Sequence, residues 1–383
     1  MDFSLSEEQA MLADSIGRFI NTSYDFETRQ KIAAGDGGFS LEMWRNFAEL
    51  GWTAVPFAEE DGGLDGGPIE LMLMMEQFGR GLVVEPFLAN IVLAGGVLRR
   101  TAEAGQKAKW VAPLIAGELQ AAFAVIEPQS RFDVANTIST AEANGEGYVV
   151  NGAKSLVLNG GAAELLIVPA RTSGDQLDQR GISLFAVPAD TRGIDRTTYA
   201  TVDGLQAAEI VLSDVQVAAD SVLGEIDNAF ETIAAVIDEA TLAVSAEALG
   251  IMQIMHDKTV EYSKNRVQFG VPIGSFQALQ HRMVDNLMAC EQSRSLLYWC
   301  VMLNLSDDPQ FRSAVSALKY QVGTAGVKVA EEAVQLHGGM GVTWELDIAH
   351  FLKRMTAINI MFGNADFHLD RYIDVSATSS AQS

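Results

Sequence analysis

The stretch Gln335-Leu336-His337-Gly338-Gly339-Met340-Gly341 decides how this chain is read. It closes a segment of helical periodicity over 309–336, so its glycines fall where a helix stops. A glycine pair there can be a plain turn. It also lets backbone N–H groups approach a phosphate with no Cβ in the way. Further on, Phe362-Gly363-Asn364-Ala365-Asp366 carries a second glycine.

Upstream lies Arg266-Val267-Gln268-Phe269-Gly270, then Pro272-Ile273-Gly274, Phe276-Gln277 and Gln280. A cation, an aromatic ring and two amides follow one another closely. Arg266 suits a phosphate, Phe269 offers an apolar face, and Gln277 supplies a hydrogen-bonding amide. These motifs sit in a C-terminal part with helical spacing over 229–267, 276–305, 309–336 and 344–371. Long apolar helices of this kind bundle and bury surface against further copies, so an oligomer is expected.

The middle of the chain differs. Short apolar runs at 121–126, 147–150, 165–168, 182–187 and 208–212 alternate with turn residues and predict strands. Val149-Val150-Asn151-Gly152-Ala153 predicts a hairpin turn, and Asp190-Thr191-Arg192-Gly193 another turn. Residues 1–118 read as helices. Ser6 caps the first, whose core face is Met11, Leu12, Ile16, Phe19 and Ile20. Methionines and leucines over 69–78 read as core packing. The expected domains are 1–118 (helical), 119–224 (β) and 225–374 (helical bundle), with a small, polar, disordered tail at 375–383.

Bulk properties narrow the function. A chain of 383 residues is long for one core. Its 26 basic and 50 acidic side chains leave a net charge of −24, which argues against nucleic acid or an anionic membrane as partner. Cys290 and Cys300 read as free thiols in a reducing compartment. The first residues lack a basic, apolar leader pattern, and no run reaches the roughly eighteen apolar residues of a membrane span. A cytoplasmic protein is expected. No histidine pair has metal-ligand spacing beside a third ligand, so no zinc site is expected.

The helix–sheet–helix order, the Arg266–Gln280 and Gln335–Gly341 motifs, Glu127-Pro128 with Asp133, and Asn159-Gly160-Gly161 together resemble the acyl-CoA dehydrogenase family. The resemblance covers essentially the whole chain and is strongest to the small subunits of pimeloyl-CoA-type heteromeric dehydrogenases. It implies an α+β multidomain fold: an N-terminal α-helical domain, a middle β-barrel-like domain and a C-terminal four-helix bundle. It also implies FAD, an acyl-CoA substrate oxidised at its α,β-carbons, and a tetramer that passes electrons to electron-transfer flavoprotein or a similar acceptor in fatty acid or steroid catabolism. By the same resemblance, Arg266, Phe269, Gln277, Gln335, Gly338, Gly339 and Gly341 grip the pyrophosphate and adenosine of flavin held by a neighbouring chain.

This sequence departs from the family where chemistry is done. Gly363 is the position aligned with the usual catalytic glutamate; it keeps only a backbone N–H, which in the family polarises the thioester carbonyl. The alternative base position, on the first long C-terminal helix, is Ala240, and the family arginine beside it is Thr241. Glu239 is rotated about 100° from that position, and Glu247 lies about 10 Å further along the same face. On the flavin-ring side, Ile126, Phe132, Leu156 and Leu158 replace polar or aromatic groups. Three expectations follow: a subunit of a heteromeric α2β2-type complex that completes a homologous partner's flavin site; a homotetrameric enzyme with Glu239 or Glu247 as relocated base; or a flavin-free structural or regulatory subunit.

Overall fold

The computed structural model describes the backbone of residues 5–382 and the side chains of 5–377. Its N-terminal part holds α1 (Glu7–Ser23), α2 (Phe26–Ala33), α3 (Leu41–Glu49), α4 (Pro68–Gly81), α5 (Gly95–Thr101), α6 (Ala104–Gln106) and α7 (Ala112–Ile115). Ser6 Oγ accepts from the Gln9 N–H at 3.1 Å and Gln9 returns the bond to the Ser6 N–H at 2.9 Å, closing the cap that starts α1. Leu71 to Met75 of α4 are buried, so the methionine-rich run is core.

The middle part is a sheet of β1 (Ala121–Phe123), β2 (Thr140–Asn144), β3 (Gly147–Leu158), β4 (Leu165–Arg171), β5 (Ile182–Pro188), β6 (Ile194–Ala200), β7 (Gln206–Ala218) and β8 (Val222–Leu223). The order is β6-β7-β3-β2-β4-β5-β8, with β1 parallel to β4. Strands β2 and β6 escaped the sequence pattern because their side chains are mostly polar and exposed. The hairpin expected at Asn151-Gly152 is corrected: the pair lies inside β3 at a register shift against β7. A Cβ on Gly152 would sit 2.1 Å from Ser139 Oγ, so this glycine permits a close approach at a bulge and makes no turn. The chain turns instead between β2 and β3, at Gly145-Glu146.

The C-terminal part contains α8 (Phe230–Asn265), the short pair β9 (Val267–Gln268) and β10 (Val271–Pro272), α9 (Gln277–Leu305), α10 (Phe311–His337), α11 (Ile348–Ile360) and α12 (Ala365–Gln382). The single segment expected over 344–371 is therefore two helices. Phe362 (φ 57°) and Gly363 (φ 119°) are both outside helical space and break it. Asn364 then accepts from the Phe367 N–H at 3.0 Å and starts α12. The tail expected to be disordered continues α12 to Gln382; it contains neither glycine nor proline to stop a helix.

Two units group these elements. One gathers Met1–Gln30, Gly67–Val83 and Thr241–Ser383, the other Lys31–Gly66 and Val84–Ala240. In the first unit, α4 and α8 cross at paired glycines. A Cβ on Gly79 would sit 2.1 Å from the Glu247 carbonyl oxygen, and one on Gly250 would sit 2.0 Å from that of Glu76. Any larger residue at either site would force these backbones apart.

Candidate functional site

The predicted ligand-side residues Arg266, Phe269, Gln277, Gln335, Gly338 and Gly339 are all exposed. They lie on the first, largely helical unit, at the C-terminal ends of α8 and α10 and the start of α9. Tyr262 of α8 stacks on His337 of α10 (centroids 4.4 Å apart, 29° between planes), which ties the two motifs to one end of the unit. His337 Nδ1–H donates to the Ala333 carbonyl at 2.8 Å, and its ring is buried. This histidine braces the glycine loop and does not point into a ligand space.

Phe269 forms the tip of the β9–β10 hairpin with Gly270. Both have positive φ, 52° and 82°, the backbone of a type I′ turn. That conformation is costly for an aromatic residue, yet Phe269 is 91% exposed, and its ring contact among the described residues is the edge of Phe276, 6.2 Å away. The strain earns no internal packing. The side chains of Arg266, Gln277 and Gln335 make no hydrogen bond or ion pair among the described residues. In the glycine loop, Gly338 (φ 60°) ends α10, and a Cβ on Gly341 would lie 2.5 Å from the Val334 carbonyl oxygen. The fold requires both as glycine. Gly339 is different: its φ is ordinary and a Cβ there would meet nothing within 4 Å. A glycine with no internal reason leaves room for something outside the chain.

The Phe362–Gly363 turn is closed where that end is open. A Cβ on Gly363 would lie 2.3 Å from Phe367 Cδ1 and 2.7 Å from His368 Nε2, so no side chain fits this backbone. The side chain that emerges from the turn belongs to Phe362, half-buried and apolar. The Gly363 N–H, expected to remain available as a donor, is spent on the Ile360 carbonyl at 3.2 Å. The Phe362 N–H takes no acceptor among the described residues.

The two acids considered as relocated bases are both paired with arginine. Glu239 bonds the guanidinium of Arg99 and, at 2.9 Å, that of Arg100. Burial by itself would raise its pKa, but the two cations outweigh burial and hold it below the ordinary carboxylate value. Glu247 is 4% exposed and held bidentately by Arg354, at 2.5 Å and 2.8 Å. With its charged form so favoured, Glu239 is a weak proton acceptor, and both oxygens of Glu247 are occupied by Arg354. Asp366 is an exposed first-turn charge on α12.

On the sheet, Glu127 accepts from Lys154 Nζ at 2.6 Å and from the Ile138 N–H at 2.8 Å, with both side chains of the ion pair buried. Burial opposes its ionisation, but the Lys154 ammonium and these bonds bring its pKa down to about 2. The Glu-Pro motif therefore stitches the 127–139 loop to β3. Leu156 has φ 49° and lends its N–H to Glu209 Oε1 at 3.2 Å, so the backbone donor at this position is already used. Asn159 and the two glycines after it form a tight turn: Asn159 Nδ2 donates to Gln120 Oε1 at 3.1 Å.

Family models for acyl-CoA dehydrogenase match the chain in three consecutive blocks: the N-terminal domain over residues 6–118, the middle domain over 122–215 and the C-terminal domain over 230–375. This chain belongs to the acyl-CoA dehydrogenase family. Members of the family are oxidoreductases. The chain is 30% identical to the probable acyl-CoA dehydrogenase YngJ of Bacillus subtilis over 371 residues, 96% of this chain and 97% of that one. Among solved structures it resembles the FAD complex of PigA (26% identity, TM-score 0.91, 98% of each chain). It also resembles the ChsE4–ChsE5 complex of Mycobacterium tuberculosis (25% identity, TM-score 0.89, 98% of this chain and 99% of that one). No helix among the described residues is long and apolar enough to cross a membrane, and no group of three or more potential metal ligands is present among them.

Sequence reasoning brought out the exposed motifs but passed over Lys319, His368 and Arg354, which surround the break between α11 and α12. The signal for Lys319 was available. It occupies a helical face shared with Val315, Leu318 and Val322, all fully buried.

Proposed function

We propose that this chain is an acyl-CoA dehydrogenase subunit of a heteromeric α2β2-type complex, lacking its own general base and completing the FAD site of a homologous partner. The observation that carries this reading is the contrast within one helical unit. Its exposed end offers unpaired polar groups, a strained aromatic tip and an open glycine, while its Phe362–Gly363 turn has no carboxylate and no room for one.

The residues present fit one half of the cofactor. Arg266 supplies a cation for the pyrophosphate, Phe269 a face for the adenosine, Gln277 and Gln335 amides, and Gly338-Gly339 an approach for backbone N–H groups. They fit the ring half poorly: Leu156 and Leu158 bring no polar side chain, and the Leu156 N–H is committed to Glu209. FAD, when bound, supplies the acceptor for the hydride that leaves the β-carbon of the acyl thioester. The relocated-base reading would need Glu239 or Glu247 to leave its arginine partners. The flavin-free reading leaves the exposure of Phe269 and the identity of Gly339 without a reason. A tetramer in the cytoplasm, delivering electrons to electron-transfer flavoprotein or a similar acceptor, completes the proposal.

The test is turnover. The lone chain, supplied with FAD, acyl-CoA thioesters and an artificial electron acceptor, is expected to be inactive. Adding a homologous chain with a free carboxylate at the turn should give activity that depends on Arg266 of this chain. Turnover by the lone chain, abolished by Glu239→Gln or Glu247→Gln, would replace this reading with the relocated base.

A further inference from the structure

Of the side chains described on α12, those of residues 365–377, only that of His368 is buried; the others are half-buried or exposed. The helix follows the Phe362–Gly363 break, where both φ angles are positive. Its hold on α10 therefore centres on one titratable ring. His368 Nε2–H donates to the Phe362 carbonyl at 3.1 Å, and Nδ1 is buried with no partner. This is the neutral imidazole. A proton on Nδ1 would place an unpartnered N–H and a charge in the core. The surroundings disfavour that charge. Lys319 of α10 is fully buried, meets no carboxylate among the described residues, and donates to the carbonyls of Asn359 at 3.2 Å and Gly363 at 2.8 Å. Two N–H bonds to two carbonyls are what a neutral amine can supply. Asn359 Oδ1 is buried without a donor, so the cluster offers acceptors but no negative charge.

The charged groups that act on His368 are both cations, Lys319 from α10 and Arg371 from its own helix; none comes from α11, and Asp366 and Asp370 of α12 are exposed. Burial, then these two charges, push the His368 pKa down to about 3 from an ordinary 6.5, and burial pushes that of Lys319 down to about 7. Once α12 lifts away, His368 regains its ordinary value. The released state then binds more protons between 6.5 and about 3, so release grows as pH falls through that window. Lys319 adds the same tendency between 10.5 and about 7. We propose that α12 is an acid-released strap: His368 is its latch, and protonation of that ring frees the helix from α10, and the Phe362–Gly363 turn with it, while the rest of the helical unit stays folded. The device uses no ligand and is independent of the flavin and acyl-CoA reading.

The experiment is amide hydrogen exchange on the full-length chain at about pH 7 and about pH 5.5, read as protection factors so that the intrinsic pH dependence of exchange is divided out. Over that interval the opening constant of the α12 amides should rise about 10-fold, the ratio set by an ordinary histidine in the released state. Amides in the interior of α10, from Val322 to Val329, should keep their protection. His368→Gln can still donate to the Phe362 carbonyl but takes no proton, and should cut the rise to about 2-fold, the share left to Lys319. If that variant leaves α12 unprotected at both pH values, an NMR titration of the wild-type ring decides: His368 should remain neutral, with its proton on Nε2, at about pH 5.5. Titration near its ordinary value overturns the latch. So does α12 protection that stays flat over the interval, or a 10-fold rise that survives His368→Gln. Loss of protection in α10 together with α12 overturns the strap, because the whole unit would then be opening.

Discussion

Two Phe-Gly turns of the same helical unit share positive φ angles and differ in their surroundings. Phe269-Gly270 and Phe362-Gly363 all have positive φ. At the first, a Cβ on the glycine would meet nothing within 4 Å; at the second it would strike Phe367 and His368. The first phenylalanine stands in solvent, and the second is half-buried at a turn whose main chain Lys319 and His368 hold from inside. Backbone strain that gains no internal contact serves something beyond the chain, whereas strain locked by buried partners serves the fold and what the fold presents. The Phe269–Gly270 tip is of the first kind and the Phe362–Gly363 turn of the second.

The largest effect should come from opening the closed side. Arg354→Met strands the Glu247 carboxylate in the helical core and should cost about 3–5 kcal/mol, read as a fall in chemical-denaturation stability. Next is the direct contrast of the two turns. Gly363→Ala adds a Cβ clash to an unfavourable φ and should cost about 3 kcal/mol, whereas Gly270→Ala meets only the φ and should cost about 1 kcal/mol. Equal losses would remove the distinction between the turns.

Acid should find the closed side too. The folded pKa of His368 lies near 3, below its ordinary 6.5, so the unfolded chain binds more protons between those values and stability falls as pH drops through that window. Glu127 adds a second loss between 4.5 and about 2. Melting temperatures of His368→Leu should be flatter than wild type between pH 6.5 and 3, with the Glu127 loss retained. The smallest effect on stability belongs to the open turn. Phe269→Ala should change it by less than about 0.5 kcal/mol, because the ring is 91% exposed and has only an edge contact with Phe276. In the assembled complex the same change should release flavin; retained flavin would make the exposed tip a chance feature.

The fold and the open end of the helical unit were legible in the sequence for a physical reason. Long helical periodicities and exposed motifs are local patterns, so Arg266 to Gln280 and Gln335 to Gly341 declare themselves residue by residue. The closed turn is built from contacts distant in sequence: Lys319 with Gly363, and Glu247 with Arg354. No local pattern announces those pairs. Asn151-Gly152 misled because the same dipeptide satisfies a hairpin or a bulge, and only the strand partner β7 decides between them. Strands β2 and β6 were invisible because an exposed strand needs no apolar alternation. The acids Glu239 and Glu247 looked available on a helix and proved to be ion-paired from other helices.

The central claim is that this chain's open end completes a flavin site it does not hold alone. The direct measurement is the flavin-to-chain ratio, by visible absorbance after denaturation, for the chain purified alone and after mixing with a glutamate-bearing homologue. The account predicts almost no flavin on the lone chain, and flavin retained on mixing only while Arg266 and Phe269 are intact. Stoichiometric flavin on the lone chain, unchanged by Arg266→Ala, would contradict it.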